Sequence, residues 1–399
     1  MPVFNVKNMQ KLAKRKLPLP ICDYLEGAAD DERTLERNTQ AFDDWALVPR
    51  SLVDVSQTDL TTSLFGRPTS LPLILSPTGM SRLFHAQGEM AVARAAAAEN
   101  VIYGLSTMAT TSIESVAQAN GDRYFQLYLF RDRNLTAAML ERAWASGYAG
   151  LCLTTDTVVS GNRERDLRTG MTIPPRFSLG SLASFVAHPR WAIGTLTGGP
   201  FQLANVIEHV GDLAPGGINV IDYVNQQFDR TASWKDVEWL RTRWPGKLIV
   251  KGLMAPEDCE LAVASGADAI MISNHGGRQL EGGAAPLDYL PAIRDRLQDR
   301  AQLIVDGGVR RGTHILKALA LGADACSIGR PYLYGLAAGG EAGVRRIISL
   351  LRAEVARDMA LVGKTKISQI NVDDVRHLSD FARRPVRSAG QRLVVDAAA

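Results

Sequence analysis

A chain of 399 residues, 46% hydrophobic and 22% charged, carries ample apolar material for a globular core. Its 45 lysines and arginines against 42 aspartates and glutamates leave a formal charge of +3 with no long basic block, which argues against a nucleic-acid binder. Cys22, Cys152, Cys259 and Cys326 stand far apart, with no CxxC pair and no histidine cluster at ligand spacing, so neither a disulfide framework nor a metal site is indicated and a reducing, cytoplasmic setting fits.

Met1–Lys16 is basic but lacks the apolar stretch and small-residue cleavage site of a secretory signal, and no run of about 18 apolar residues suggests a bilayer span. Residues 1–70 read as an N-terminal cap with a helical segment over Cys22–Thr39, bounded by Pro18 and Pro20. Strands are then predicted over Leu73–Ser76, Ile102–Ser106 and Phe125–Leu129. Three stretches look like copies of one unit, Ser146-Gly-Tyr-Ala-Gly-Leu-Cys-Leu-Thr-Thr-Asp156, Ser265-Gly-Ala-Asp-Ala-Ile-Met-Ile-Ser-Asn274 and Leu321-Gly-Ala-Asp-Ala-Cys-Ser-Ile-Gly-Arg330. Each reads as helix, glycine stop and buried strand. Leu248–Lys251 and Leu303–Asp306 bring the strands to eight, spaced as βα units require except for a long gap between Asp156 and Lys251.

Eight βα units predict an α/β fold, a TIM (β/α)8 barrel forming a single domain over 1–399, with a long insertion after strand 4 at 177–231. A doubly wound open sheet is the competitor, but no GxGxxG follows the first strand. Glu341–Val362 reads as the last barrel helices and the Ala-rich end as frayed.

In such a barrel, polar residues at the C-terminal ends of strands are candidates for chemistry: Ser106, Gln126, Tyr128, Thr154, Asp156, Lys251, Ser273 and His275. Strands 7 and 8 run into Asp306-Gly-Gly-Val-Arg310-Arg-Gly and Gly329-Arg330-Pro, where glycine amides and guanidinium groups suit a phosphate. Lys251 could stabilise negative charge on the ring of a phosphate-bearing cofactor; a structural lysine would need a carboxylate partner. His275 is a natural proton acceptor, and Arg278, three residues on, can hold a substrate carboxylate.

Together, Ser273-Asn-His-Gly-Gly-Arg-Gln-Leu280, Val250-Lys-Gly252, Asp306-Gly-Gly-Val-Arg-Arg-Gly312 and Phe125-Gln-Leu-Tyr128 resemble the FMN-dependent 2-hydroxy-acid dehydrogenase and oxidase family. That family includes glycolate oxidase, respiratory lactate dehydrogenases and mandelate dehydrogenase, and the resemblance runs from about Phe4 to Ile370. It implies that FMN is bound by Pro77, Thr78, Gly79, Ser106, Gln126, Thr154, Lys251, Ser273, Asp306, Gly307, Gly308, Arg310, Gly329 and Arg330, with Lys251 on the N1 side of the flavin. Tyr24, Tyr128, Arg163 and Arg278 match substrate-holding positions, His275 matches the base and Asp156 its carboxylate partner. The implied reaction oxidises an (S)-2-hydroxy acid to the 2-keto acid. Electrons would pass to a quinone or another acceptor; with oxygen as acceptor the enzyme would be an oxidase producing hydrogen peroxide. A homotetramer is also implied.

Asp23-Tyr-Leu-Glu-Gly27, Thr154-Thr-Asp156, Arg163-Glu-Arg-Asp166 and Ile173-Pro-Pro175 look most like mandelate and membrane lactate dehydrogenases. Gly79 and Met108 depart from the glycolate oxidase pattern and are expected to widen the pocket for L-lactate or mandelate. In the insertion, Phe185-Val-Ala-His-Pro-Arg-Trp191-Ala-Ile-Gly-Thr-Leu196 and Pro200-Phe-Gln-Leu203 suit a bilayer interface near a quinone, which would place the protein on the inner face of the cell membrane. A substrate lid or subunit contact is the alternative. A flavin isomerase without net oxidation would leave His275, Arg278, Arg163 and Tyr24 unexplained, and a silent binding barrel would leave the whole set so.

Overall fold

Eight parallel strands close into a barrel in the computed structural model, which describes residues 2–172, 175–199, 201–206 and 227–382. They are β1 (Leu73–Thr78), β2 (Ile102–Ser106), β3 (Arg123–Tyr128), β4 (Gly150–Thr154), β5 (Lys247–Leu253), β6 (Ala269–Ser273), β7 (Gln302–Asp306) and β8 (Ala325–Ile328). The ring closes where Cys326 of β8 pairs with Leu73 of β1. All eight sequence-read strands are present, and the TIM barrel stands.

The strands read as near-continuous apolar runs because both faces are covered. Ile74, Ile102, Tyr124, Cys152, Ile249, Met271, Ile304 and Ala325 pack inside the barrel. Their neighbours, such as Leu73, Leu75, Tyr103 and Val250, belong to the larger core under the helices. A hairpin of Thr62–Leu64 and Arg67–Thr69 adds Leu64 and Phe65 to the interior cluster and so plugs the N-terminal end.

The cap differs from the expected single helix over Cys22–Thr39. One helix, Leu19–Glu26, begins at the prolines, with Pro20 in its first turn; a second, Arg33–Gln40, follows a break. The break exists because the intervening backbone is bonded elsewhere: Ala29 N–H donates to Gly277 O at 2.9 Å and Asp30 N–H to Asn162 O at 2.9 Å. A further helix, Val6–Lys14, buries Val6, Met9 and Ala13 against the C-terminal helix. That C-terminal element runs over Arg330–Leu361, starting earlier than expected and kinked at Gly339 and Gly340.

Within the insertion, helices Leu179–Val186 and Pro189–Thr197 are seen. Trp191 Nε1–H donates to Leu83 O at 2.8 Å, and Leu19 N–H donates to Ser184 Oγ at 2.8 Å, so both helices lie beside the mouth of the barrel. Ile173 and Pro174 of the Ile-Pro-Pro motif, Pro200, residues 207–226 and the Ala-rich end lie outside the described residues. Among the described residues no helix is long and apolar enough to cross a membrane.

Candidate active site

Side chains alternate along a strand, so the position two residues beyond each inward-facing apolar residue also faces the barrel axis. Two residues on from Ile74, Tyr124, Cys152, Ile249, Met271, Ile304 and Ala325 stand Ser76, Gln126, Thr154, Lys251, Ser273, Asp306 and Ser327; on β2, Gly104 intervenes before Ser106. The barrel axis therefore turns polar at its C-terminal end. Above this ring lies a cavity of about 330 Å³.

Sixteen of the residues expected at the site line that cavity: Tyr24, Pro77, Thr78, Gly79, Ser106, Tyr128, Arg163, Lys251, His275, Arg278, Asp306, Gly307, Gly308, Arg310, Gly329 and Arg330. The other four stand behind its wall. Gln126 Nε2–H donates to Thr154 Oγ1 at 2.9 Å and Gln126 Oε1 accepts from Ser106 Oγ at 3.0 Å, while Asp156 and Ser273 back His275 and Lys251.

His275 follows β6 in a left-handed turn, with φ of 55° at His275, 64° at Gly276 and 76° at Gly277. Such a conformation costs a non-glycine residue roughly 1–2 kcal/mol and persists only where the surroundings impose it. Here its N–H donates to Ser273 Oγ at 3.1 Å and its Nδ1 lies 2.8 Å from Asp156 Oδ1. The Ser273 hydroxyl is fully used, since it also accepts from Lys251 Nζ at 3.1 Å and donates to Asp306 Oδ2 at 2.8 Å.

Lys251 sits between Asp156 Oδ2 at 3.5 Å and Asp306 Oδ2 at 3.6 Å. It is thus a buried lysine with carboxylate partners; closure of the barrel brings the ends of β4 and β7 to either side of β5's ammonium. Burial alone would lower its pKa, but the two carboxylates raise it above the ordinary value, so it stays charged. Asp156 is the mirror case: burial raises its pKa, but Lys251 and then His275 bring it down to about 2. For His275, burial lowers the pKa from 6.5; Asp156 pulls it up and Lys251 pushes it further down, leaving a net decrease. The imidazole is therefore neutral at pH 7. With Nδ1–H given to Asp156, the Nε2 lone pair is left to accept a proton.

Arg278 donates to Tyr24 O at 2.9 Å and Gly27 O at 2.7 Å, and its guanidinium lies 5.0 Å from the centre of the Tyr24 ring. Burial, then the nearby charge of Arg163, lowers its pKa, and among the described residues the one carboxylate paired with it, Asp166, is 3.9 Å away. Two crowded guanidinium groups with so little counter-charge favour an incoming anion. Tyr128 packs on Phe228 with ring centroids 4.9 Å apart; burial, then Asp156, pushes its hydroxyl up to about 12, so it keeps its proton as a donor.

At the other end of the cavity, the Asp306–Arg310 loop carries left-handed Gly307 (131°) and Gly308 (74°). A Cβ on Gly308 would lie 1.8 Å from Asn38 O, so only glycine fits. Three of the five Arg330 N–H groups donate, to Leu25 O, Gly276 O and Gly27 O, leaving two for a ligand. Among the described residues neither Arg310 nor Arg330 forms an ion pair with a carboxylate, a donor set that fits a phosphate dianion.

A Cβ on Gly79 would lie 2.8 Å from Met108 Cβ, and Met80 N–H donates to Met108 O at 2.9 Å, so the glycine makes room for Met108, and both residues line the cavity. Residues not singled out beforehand include Ser76, whose hydroxyl donates to Asp306, and Gln279, whose Nε2–H groups donate to Asp156 O and Val159 O, both at 2.8 Å. The period-two alternation could have found Ser76; Gln279 already lay inside the His275 motif. No local signal marks Phe228.

A family model described as FMN-dependent dehydrogenase matches residues 13–377. An L-lactate oxidase from Nostoc sp. is 44% identical over 372 residues, covering 92% of this chain and 96% of that protein. An (S)-mandelate dehydrogenase from Pseudomonas putida is 39% identical over 372 residues, covering 93% of each chain. Among solved structures, that of a monotopic membrane protein, (S)-mandelate dehydrogenase, matches with a TM-score of 0.91 and 39% identity, covering 94% of this chain and 100% of that one.

Proposed function

The chain belongs to the FMN-dependent dehydrogenase family, whose chemistry is 2-hydroxy-acid oxidation, and from that premise we propose that it converts an (S)-2-hydroxy acid, L-lactate before mandelate, to the 2-keto acid with a quinone as final acceptor. The observation that carries this reading is the neutral His275, backed by Asp156, facing the same cavity as Arg163 and Arg278. FMN supplies the two-electron acceptor, held at its phosphate by Gly307, Gly308, Arg310 and Arg330.

The chain's own residues do the rest. Arg278 and Arg163 bind the substrate carboxylate and so fix which face of the 2-carbon is presented, which selects one enantiomer. Tyr128 donates to the 2-oxygen as it becomes a carbonyl. His275 Nε2 takes a proton from the 2-carbon or the 2-hydroxyl, and Asp156 stabilises the imidazolium that results. Lactate is placed first because the Nostoc relative acts on it; Met108, Met171 and Phe84 also line the cavity and leave mandelate second.

Anaerobic bleaching of the bound flavin by L-lactate, (S)-mandelate and glycolate tests this reading. We expect fastest reduction by lactate, and a flavin untouched by all three would end it. Because the base must be neutral, kcat/KM is expected to be flat near pH 7 and to fall only below the ordinary histidine pKa of 6.5. Asp156→Asn removes the group that pulls that pKa up, so its acid limb moves lower still, while kcat drops about a hundredfold or more through loss of the imidazolium's partner.

A second reading concerns location. Leu179, Val186, Ile193 and Leu196, on the two insertion helices, are 87, 81, 60 and 82% exposed, an apolar patch that supports peripheral contact with a bilayer beside the active-site mouth. Replacing all four by serine is expected to shift the protein from the membrane to the soluble fraction, with turnover on a water-soluble artificial acceptor unchanged. An unaltered partition would remove the anchoring role.

A further inference from the structure

The cap helix Arg33–Gln40 touches both glycine-rich loops of the site, and one buried side chain makes the join. Asn38 is 1% exposed. Its Nδ2–H donates to Asn274 Oδ1 at 2.8 Å, and Asn274 Nδ2–H donates back to Asn38 Oδ1 at 2.7 Å. Asn274 is the residue before His275, and its remaining contacts cap the turn: Oδ1 accepts from Gly277 N–H at 3.1 Å and Nδ2–H donates to Ala284 O at 3.2 Å. Removing Asn38 would leave a half-buried amide at the root of the His275 loop without its partner.

The same residue reaches the other loop. Its main-chain carbonyl occupies the space a Cβ on Gly308 would need, and its side-chain Nδ2 lies 3.5 Å from the corresponding position on Gly307. One turn earlier, Leu35 N would stand 2.7 Å from a Cβ on Gly277, which closes the helix onto the base loop. The helix therefore fixes the distance between the strained turn carrying His275 and the loop assigned to the phosphate.

We propose that Asn38 is a positioning residue shared by both loops: through Asn274 it holds His275 in its left-handed turn, and through its side-chain Nδ2 and its main-chain carbonyl it seats Gly307 and Gly308 for the FMN phosphate. This rests on the reading of His275 as base. Displacing a general base by a fraction of an ångström costs turnover without touching the carboxylate site, since among the described residues the hydrogen bonds of the two asparagine side chains go to each other, Gly277 and Ala284, not to Arg163 or Arg278.

The test uses full-length holoenzyme with Asn38→Ala, Asn274→Ala, the double variant and His275→Ala in parallel. For Asn38→Ala we expect kcat to fall about 10- to 100-fold with KM within about threefold, and FMN to bind several-fold more weakly when apoprotein is titrated by flavin fluorescence. The double variant should be no slower than Asn274→Ala alone, because one residue acts through the other. Asn38→Asp, which keeps the shape and the accepting oxygen but not the donor, should fall between parent and alanine variant and serves if the latter does not fold. Turnover of Asn38→Ala within about twofold of the parent, or losses that multiply in the double variant, would overturn the inference. His275→Ala separates the two failures, since it stays active only if the base reading itself is wrong.

Discussion

Replacement of His275 by alanine is expected to leave a yellow, FMN-loaded protein whose turnover has fallen on the order of several thousand-fold, the contribution typical of a well-placed general base. The flavin should remain because the donors proposed for its phosphate, Gly307, Gly308, Arg310 and Arg330, belong to other loops. The His275 ring itself gives up only the bond to Asp156, while Ser273 keeps Lys251 and Asp306. The loss should appear in flavin reduction by substrate, not in substrate affinity, because Arg278 and Arg163 are untouched. Alanine carries the same left-handed strain at this position, so any loss of stability comes from the lost bond to Asp156. Near-normal flavin reduction in this variant would remove His275 from the mechanism.

Lys251→Met is expected to be the most destabilising single change at the site. It removes the only ammonium between Asp156 and Asp306 and leaves two buried carboxylates with no cation between them, a situation worth about 3–5 kcal/mol. The pH dependence should reverse sign. In the parent, the depressed pKa of Asp156 contributes stability above the ordinary value of 3.8 that is lost as pH falls toward about 2. In the variant Asp156 loses the charge that most lowers its pKa, which rises, so the folded state is penalised above it and the deficit narrows as pH is lowered from 7 toward 5. Urea unfolding at several pH values checks this; a constant deficit under about 1 kcal/mol would show that the lysine does not hold the carboxylates in place.

How much of this was open to a reader of the sequence depended on distance along the chain. The strand-end addresses of His275, Asp156 and Lys251 could be read because each strand announces itself by a short apolar run after a glycine stop. Ser76 and Ser327 are equally readable by counting two from Ile74 and Ala325, but a serine in an apolar strand looks incidental. What could not be read is which strand ends meet. The two carboxylates beside Lys251 come from β4 and β7, and only ring closure brings them together. The break in the cap at Gly27–Glu32 was hidden for the same reason: it is imposed by acceptors and donors on Gly277, Asn162, Arg278 and Arg330, not by any local helix breaker strong enough to mark it. The insertion's apolar composition was plain, whereas the docking of Trp191 on Leu83 was not.

One carbonyl has a consequence for how the enzyme is made. Gly27 O accepts from both Arg278 and Arg330, at 2.7 and 2.8 Å, so residues from near the two ends of the chain and from between them meet at a single atom. Such long-range closure is slow and comes late in folding. A chain still on the ribosome, with Arg330 inside the exit tunnel, can fold neither end of the cavity, and its first strands must wait with their apolar faces uncovered. The site is thus born all at once, when the last helix emerges and the N-terminal turn, made long before, finally finds both its arginines.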